Sequence, residues 1–564
     1  MTTTSNLLNK KEKSTLNTAY FSMEIGFDPR IPNYAGGLGI LAGDTIKAAA
    51  DLKYNMVAVS LLYKNGYFKQ NIDKNGLQTE ESDIWNYESI LEKLPIKTTI
   101  VVQHEKVEIQ IWQYLLKSGD HHIPIYFLDT DLPSNSELIR SLNSNLYPIQ
   151  NQIIQEAVLG IGGVQVLFDL GYDIFDNYHL NETHASMVTL ALLEKYIDKN
   201  IVKQHVCFTT HTPLIGGHEK WSKSRLEELL ETKYLKHIPA KLWEDDETLN
   251  MAKLCLEFSK YANGVALKHQ EVSQQMYPEY TIKAITNGIH SSTWTSPYLA
   301  SIFDKSIPEW RTWAFSLREA MRIEDNLILE AHAKAKLDLF NEISKYKELN
   351  EAEFNPNIFT IGFARRAAGY KRHNFIFTDL EKLEFIAKKH GGLQFVFAGK
   401  AYPNDSEGKK VIEQIYKINQ QTSDNIKILF IPNYNMDIGK LITNGVDIWL
   451  NNPIPPLEAS GTSGMKASLN GVPNFSILDG WWIEGCIEGI TGWAIGEICV
   501  GDRCIADELI SMYAKLDETI LPLFANKTEW VKVMKQSIAI NGSYFNTHRM
   551  LMEYIIEAYI YRSI

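Results

Sequence analysis

The stretch Glu458-Ala459-Ser460-Gly461-Thr462-Ser463-Gly464-Met465-Lys466 sets a carboxylate, a turn of small residues and a lysine close together. Such a set can hold hydroxyls on the carboxylate, an anion on backbone N–H groups and an aldehyde on the amine. Ser460 to Gly464 supports a regular helix poorly and Met465 to Leu469 supports one well. The segment therefore reads as a loop feeding a helix N-terminus whose free N–H groups favour an anion. Lys466 falls in the first turn of that helix. An exposed lysine has a pKa near about 10.4 and is a poor nucleophile, whereas one beside a helix N-terminus and other cations is pushed toward the neutral amine that condenses with an aldehyde. Thr462 and Ser463 lie in the loop that would hold a phosphate. On these residues alone, a glycine-rich turn ending in a solvated lysine remains the alternative.

A second anion site is expected at Phe363-Ala364-Arg365-Arg366-Ala367-Ala368-Gly369-Tyr370-Lys371-Arg372, which follows the apolar run Ile358 to Gly362. That run reads as a buried strand. Four cations just beyond its carboxyl end suit phosphate, because arginine binds two oxygens with its planar fork and lysine adds a point charge. A solvated basic helix start is the bland alternative. Near the N-terminus, Asn33 to Asp44 combines a glycine-rich turn with a helix expected over Thr45 to Leu52, and a lone loop of this kind is weak evidence of a ligand.

Residues 458–471 resemble, nearly letter for letter, the pyridoxal-phosphate segment of the α-glucan phosphorylases, the glycogen, starch and maltodextrin phosphorylase family. The resemblance runs from about Ala19 to Gly496 and includes the Asp479-Gly480-Trp481-Trp482-Ile483-Glu484-Gly485 segment of shorter prokaryotic members. It implies that Lys466 carries pyridoxal 5'-phosphate as a Schiff base, that Thr462 and Ser463 help hold the cofactor, and that Glu458, Ser460 and Gly461 contact glucosyl hydroxyls. It places Arg365 on the cofactor phosphate, Arg366 and Lys371 on inorganic phosphate, and Tyr370 against the sugar. Gly37 and Leu38 match the loop whose backbone approaches both the cofactor phosphate and the sugar. His211, in Phe208-Thr209-Thr210-His211-Thr212-Pro213, matches the histidine that hydrogen-bonds the sugar near its reacting carbon. Asn287 matches an asparagine on a sugar hydroxyl, while Trp294 and Tyr434 match aromatic residues lining the cofactor pocket. Glu182 and His184 are expected to edge the cleft.

The implied activity is reversible, retaining phosphorolysis of α-1,4-glucan from its non-reducing end, releasing α-D-glucose 1-phosphate. Arg366, Lys371 and His211 would be the catalytic side chains. Two departures stand out: Ala368-Gly369 replaces the His-Glu of long-chain members, and the aspartate-asparagine gate over the sugar pocket has no counterpart. The chain begins almost directly at the fold, so a regulatory extension is not expected. The rival readings are a GT-B transferase using a sugar nucleotide, which needs no such lysine, and a non-catalytic glucan-binding relative, which could dispense with Lys466 or Lys371.

These residues need rigid elements to position them. At 564 residues and 45% hydrophobic, the chain exceeds what one domain usually holds. Alternating strand and helix patterns in the C-terminal half predict a parallel, doubly wound sheet with strands near 358–363, 394–398, 426–432, 446–450 and 474–478. The N-terminal half shows strand-like runs at 55–62, 98–102, 107–114 and 124–128. The α/β class follows from this alternation. The resemblance specifies a GT-B arrangement, two Rossmann-like domains around an interdomain active-site cleft. The expected division is a polar tail at 1–18, an N-terminal domain at 19–310, a helical connector at 311–357, the pyridoxal-phosphate domain at 358–527 and a helical segment at 528–564 that crosses back.

Composition narrows the partners. A net charge of −12 argues against nucleic acid and membrane surface, whereas a neutral glucan needs no charge match. The polar start of the chain has no apolar core of a signal peptide, and the apolar run 157–168 is too short to span a bilayer. Five cysteines, sparse and odd in number, fit reduced thiols in the cytoplasm. His211 and His218 match no common zinc spacing, so no metal is expected there. Inorganic phosphate and α-1,4-glucan are the expected partners, and a homodimer is compatible with them.

Overall fold

The computed structural model describes residues 18–147, 151–346, 353–498 and 503–560. Most of the expected N-terminal tail, residues 347–352 of the expected connector, Cys499 and the last four residues of the expected C-terminal segment lie outside the described residues. Two large sheets organise the chain. The first has nine strands: β1 (Thr18–Ser22), β2 (Met56–Leu61), β3 (Glu92–Val102), β4 (Glu105–Ser118), β5 (His121–Asp129), β6 (Asn177–Asn181), β7 (Val206–Thr209), β8 (Tyr261–Gly264) and β9 (Lys283–Ala284). Their order is β9-β8-β7-β6-β1-β2-β5-β4-β3. Pairing is parallel from β9 to β5 and antiparallel through β4 and β3.

The second sheet is parallel throughout: β10 (Phe359–Ala364), β11 (Leu393–Ala398), β12 (Ile426–Ile431), β13 (Ile448–Asn451), β14 (Asn474–Ile477) and β15 (Gly492–Ile495), in the order β12-β11-β10-β13-β14-β15. That is the doubly wound order of a Rossmann sheet. Its central strand β10 (FTIGFA) is buried at every position, as a strand covered by helices on both faces must be. The alternation in sequence locates five of these strands to within a residue or two. It misses β15, whose short GWAI run carries no period and little β-branching.

The glycine-rich stretch near the N-terminus is not a turn. Helix α1 runs Gly37–Asp51 and takes in Gly39 and Gly43. A Cβ on Gly43 would lie 2.1 Å from the carbonyl oxygen of Gly26, and one on Gly39 would lie 2.6 Å from Glu24 Oε2. These glycines let the helix lie directly on the chain that follows β1, a packing reason that outweighs their low helix propensity.

Helix α2 (Asp325–Ile343) precedes the second sheet, within which helices α3 (Met436–Gly445) and α4 (Ser463–Leu469) connect strands. Ile289, Trp294, Phe303, Trp310, Leu317 and Ile328 all pack into the same core as Phe359 and Ile361 of β10. At the other end, helix α5 (Thr547–Glu553) and the π-helical turn Tyr554–Tyr559 return to the first sheet. Tyr559 Oη lies 2.7 Å from His179 Nδ1, and Tyr554 Oη accepts from Asn263 Nδ2 at 3.0 Å. Cys207, Cys255 and Cys486 are free, but Cys504 is disulfide-bonded, which differs from the fully reduced set expected from the sequence. No helix among the described residues is long and apolar enough to cross a membrane.

Candidate active site

In an open doubly wound sheet, ligands bind beyond the carboxyl ends of the strands where the strand order reverses. In the second sheet that point lies between β10 and β13, and the basic cluster leaves β10 there. Arg365 is held by its backbone N–H on the Ala398 carbonyl at 3.0 Å. Its buried guanidinium donates through Nη1 to Asn451 Oδ1, at the end of β13, and through Nη2 to Glu458 Oε1 at 2.6 Å. Lys371 Nζ donates to the other carboxylate oxygen at 3.1 Å. Burial alone would raise the Glu458 pKa, but the charges of Arg365 and Lys371 outweigh it and bring the group down to about 2. Gly461, at φ +83°, carries the chain past this triad. A Cβ there would sit 3.1 Å from Glu458 Oε1 and would need a disfavoured backbone conformation. Beneath it, Asp479 accepts from the backbone N–H groups of Glu458 and Gly480, and burial pushes its carboxyl up to about 7.

Lys466 lies on the next element, α4. It is 7% exposed, with Nζ 3.5 Å from the centroid of the Trp294 ring. The Trp294 ring also meets Lys440 Nζ, from α3, at 5.9 Å. Burial lowers the Lys466 pKa to about 8, with Asp44 opposing the shift and Lys440 reinforcing it. Asp44, from α1, accepts from Trp294 Nε1 at 2.7 Å and from the His290 N–H at 3.1 Å through Oδ2. Its other oxygen, Oδ1, is buried with no hydrogen-bond partner. Asn470 ties the two chain segments together, donating to the carbonyls of Trp294 and Lys466 at 2.9 Å each and accepting from the Ser296 N–H at 2.7 Å.

The structure thus brings Lys466 and Trp294 into contact, and Arg365, Lys371, Glu458 and Gly461 into a second group reached through Ser460, Thr462 and Ser463. Thr462 precedes the first turn of α4 and Ser463 opens it. Ser460 Oγ is buried without a hydrogen-bond partner. Lys371 Nζ lies 4.7 Å from the centroid of the Tyr370 ring. Burial pushes the Tyr434 hydroxyl up to about 12, with the Arg365 charge opposing. Arg366 is exposed, and its charge acts on Tyr67 of the first half. Gly37, also exposed, opens α1 with no atom within 4 Å of where a Cβ would stand, and Leu38 is half-buried beside it.

The remaining expected residues sit on the first half and make other contacts. His211 Nε2 lies 2.8 Å from Asn181 Oδ1, and its backbone N–H donates to Glu182 Oε2 at 2.6 Å. Burial lowers the His211 pKa to about 4, so the ring is neutral at pH 7. Glu182 also accepts from the Thr183 N–H and the Thr212 hydroxyl, so it braces this loop. His184 pairs with Glu219 at 3.3 Å. Asn287 Oδ1 is buried with no hydrogen-bond partner. Asp44, Lys440, Asn470 and Asp479 are the residues that sequence reasoning missed. Asp44 and Asn470 stand inside the quoted motifs, but nothing in their spacing says that one would meet Trp294 and the other would bridge to it.

A mostly parallel α/β sheet and a fully parallel one, with a cationic cluster at the reversal point of the second and a buried lysine beside it, define a GT-B-type α/β protein. The Carbohydrate phosphorylase family matches residues 239–489. A maltodextrin phosphorylase of Thermococcus litoralis is 36% identical, with 96% of this chain and 70% of the relative covered. A glycogen phosphorylase of Aquifex aeolicus is 33% identical over 96% of this chain and 85% of its own length. An uncharacterized protein of Methanocaldococcus jannaschii is 31% identical over 96% and 99% respectively. The chain belongs to the carbohydrate phosphorylase family.

Proposed function

We propose that this chain catalyses reversible, retaining phosphorolysis of an α-1,4-glucan at its non-reducing end, and that Lys466 holds pyridoxal 5'-phosphate through its amine. The observation that carries the reading is the Lys466 amine, buried against Trp294 and brought down to about 8, one short loop away from Arg365, Lys371 and Glu458. The residues around Lys466 suit an aromatic aldehyde bearing a phosphate. Trp294 offers a ring face, Asp44 Oδ1 is an unpaired buried acceptor, and Gly37 leaves open space at the start of a fifteen-residue helix. Arg365, Thr462, Ser463 and Tyr434 would complete the cofactor's surroundings. When bound, the cofactor supplies a phosphate group as acid–base support beside the substrate phosphate.

The chain's own residues position the reactants. Arg366 and Lys371 hold inorganic phosphate, while Glu458, Ser460, Gly461, Tyr370, Asn287 and Leu38 surround the sugar. Glu458 exchanges part of its pairing with Lys371 for sugar hydroxyls, which frees that ammonium for the phosphate dianion. Neutral His211 donates or accepts a hydrogen bond near the reacting carbon. Inorganic phosphate protonates the glycosidic oxygen, the C1–O bond breaks, and a phosphate oxygen closes on C1 from the same face to give α-D-glucose 1-phosphate. Cations fixed around the dianion stabilise the oxocarbenium-like centre through that dianion. The reading implies a cleft between the two sheet-bearing halves, divided as 19–310 and 358–527, and action in the cytoplasm.

Borohydride reduction of the purified protein followed by peptide mapping tests this directly. A pyridoxyl group on Lys466 is the expected result. No adduct in folded protein transfers the assignment to a GT-B transferase using a sugar nucleotide.

A further inference from the structure

Two turns along α1 from Asp44, three side chains from distant parts of the chain converge: Asp51 at the end of α1, His290 after the Thr286-Asn287-Gly288-Ile289 segment, and His548 in the first turn of α5. His290 Nε2 lies 2.8 Å from Asp51 Oδ2 and His548 Nε2 lies 3.1 Å from the same oxygen. The three atoms all fall within 4.8 Å of one another. The histidine side chains are 8% and 3% exposed and that of Asp51 is 15% exposed. We propose that Asp51, His290 and His548 form a binding site for a borderline divalent transition ion of the Zn2+ type, separate from the Lys466 pocket.

Four observations carry the assignment. Metal–ligand distances of about 2.0–2.2 Å put neighbouring ligand atoms of a four-coordinate ion roughly 3.4 Å apart; the two histidine–carboxylate distances of 2.8 and 3.1 Å are close to this, and all three atoms lie within 4.8 Å of one another. Two imidazole nitrogens and one carboxylate suit zinc, cobalt or nickel better than calcium or magnesium, which prefer all-oxygen sets. Partners orient two ligands from behind: His290 Nδ1 lies 2.7 Å from Thr293 Oγ1, and Ser118 Oγ donates to Asp51 Oδ1 at 2.6 Å. Finally, Asp51 and His290 line a cavity of about 670 Å³ that also reaches Asp28, Lys47, Thr293 and Lys117, so a water could take the fourth position and the ion has an entry path.

Lys47 and Lys117 are the cavity-lining groups that oppose a cation. Lys117 is exposed and water screens it. Lys47 Nζ donates to Thr293 Oγ1 at 2.9 Å, one side chain removed from the imidazole; burial acts against its charge, and the negative charges of Asp44, Asp28 and Asp51 surround it. With an ion present, the site would fasten α5, and with it the returning C-terminal segment, to α1. The competing arrangement is a hydrogen-bonded knot in which both imidazoles donate to one carboxylate oxygen and no ion enters.

Calorimetric titration of the chelator-treated full chain with Zn2+ distinguishes them. One ion per chain is expected, with affinity weakened more than about a hundredfold in both Asp51→Asn and His548→Asn, beyond what loss of an outer partner costs. Circular dichroism reports whether each variant is folded. Co2+ added to the unaltered protein gives a second reading that needs no variant. A four-coordinate visible spectrum without thiolate charge transfer supports the site. Absence of a one-to-one ion, affinity unchanged in both variants, or a thiolate spectrum would overturn it in favour of the knot or a cysteine site.

Discussion

Replacing Lys466 by Met should make the cofactor-free protein more stable while removing its capacity to hold pyridoxal phosphate. The folded chain holds this amine at about 8 against an ordinary 10.5, with burial as the leading cause. That depression corresponds to about 3 kcal/mol of penalty on the charged form. Because the folded pKa is depressed, the penalty is fully present below pH 8, fades as pH rises through the window from 8 to 10.5, and is gone above it. Met has similar length and no charge, and it keeps contact with the Trp294 face. Urea denaturation at pH 7 should therefore show Lys466→Met more stable by up to about 3 kcal/mol, a difference that closes above about pH 10.5. Competitive labelling with a small amine reagent measures the pKa itself, through the shape of the pH profile. At pH 7 the Lys466 amine should be ~10% neutral, against ~0.03% for an ordinary lysine. Asp44→Asn should push the apparent pKa lower still, and Lys440→Gln should let it rise, since those are the directions of their charges. A midpoint near 10.5, together with no gain in stability for Lys466→Met, would refute the account of a strained buried amine.

Glu458→Gln should destabilise the folded chain by about 3–5 kcal/mol, because it leaves Arg365 and Lys371 buried without their counter-ion. The carboxylate's stabilising contribution is present above its unfolded pKa and is lost as pH falls through about 2, so denaturation followed from pH 7 to pH 2 should show the variant converging on the unaltered protein. Lys371→Ala should retain cofactor absorbance yet lose phosphorolysis, whereas Lys466→Ala should lose both; assays of glucose 1-phosphate release and bound chromophore read the two apart. Asn470→Ala removes two hydrogen bonds linking α4 to the Trp294 segment and one within α4, and should cost about 2–4 kcal/mol in denaturation, with a shift in Trp fluorescence. Gly43→Val should cost more than Gly39→Ala, since its Cβ must displace the Gly26 backbone and not a side-chain end; thermal melts compare the two.

The motifs to which we assign chemistry are local patterns in the sequence. Lys466 and its small-residue loop, Arg365 and Arg366 beyond a buried strand, and the alternation of strand and helix across the second half are all written in residues close together in sequence. Helical and strand periods repeat over a few residues, and a lysine after a glycine turn needs no distant partner to be recognised. The α/β class and the outline of the second sheet follow from that. Where local rules compete with packing, the sequence misleads: Gly37 to Gly43 look like a turn and form a helix, because the space left by absent side chains is used by the backbone of Gly26.

Partnership across the chain was decided only by the tertiary structure. Glu458 is eighty-seven residues from Lys371 and ninety-three from Arg365, yet it pairs with both cations at the reversal of the second sheet. Asp44 stands 250 residues from the Trp294 indole it accepts from, and Asp51 stands 497 from His548. Such contacts depend on the register and order of strands, which no local period encodes. The same holds for the Lys466 amine: its residue type and place in a helix are sequence properties, but the burial that brings it toward neutrality is a tertiary property, with the Trp294 ring packed against the amine.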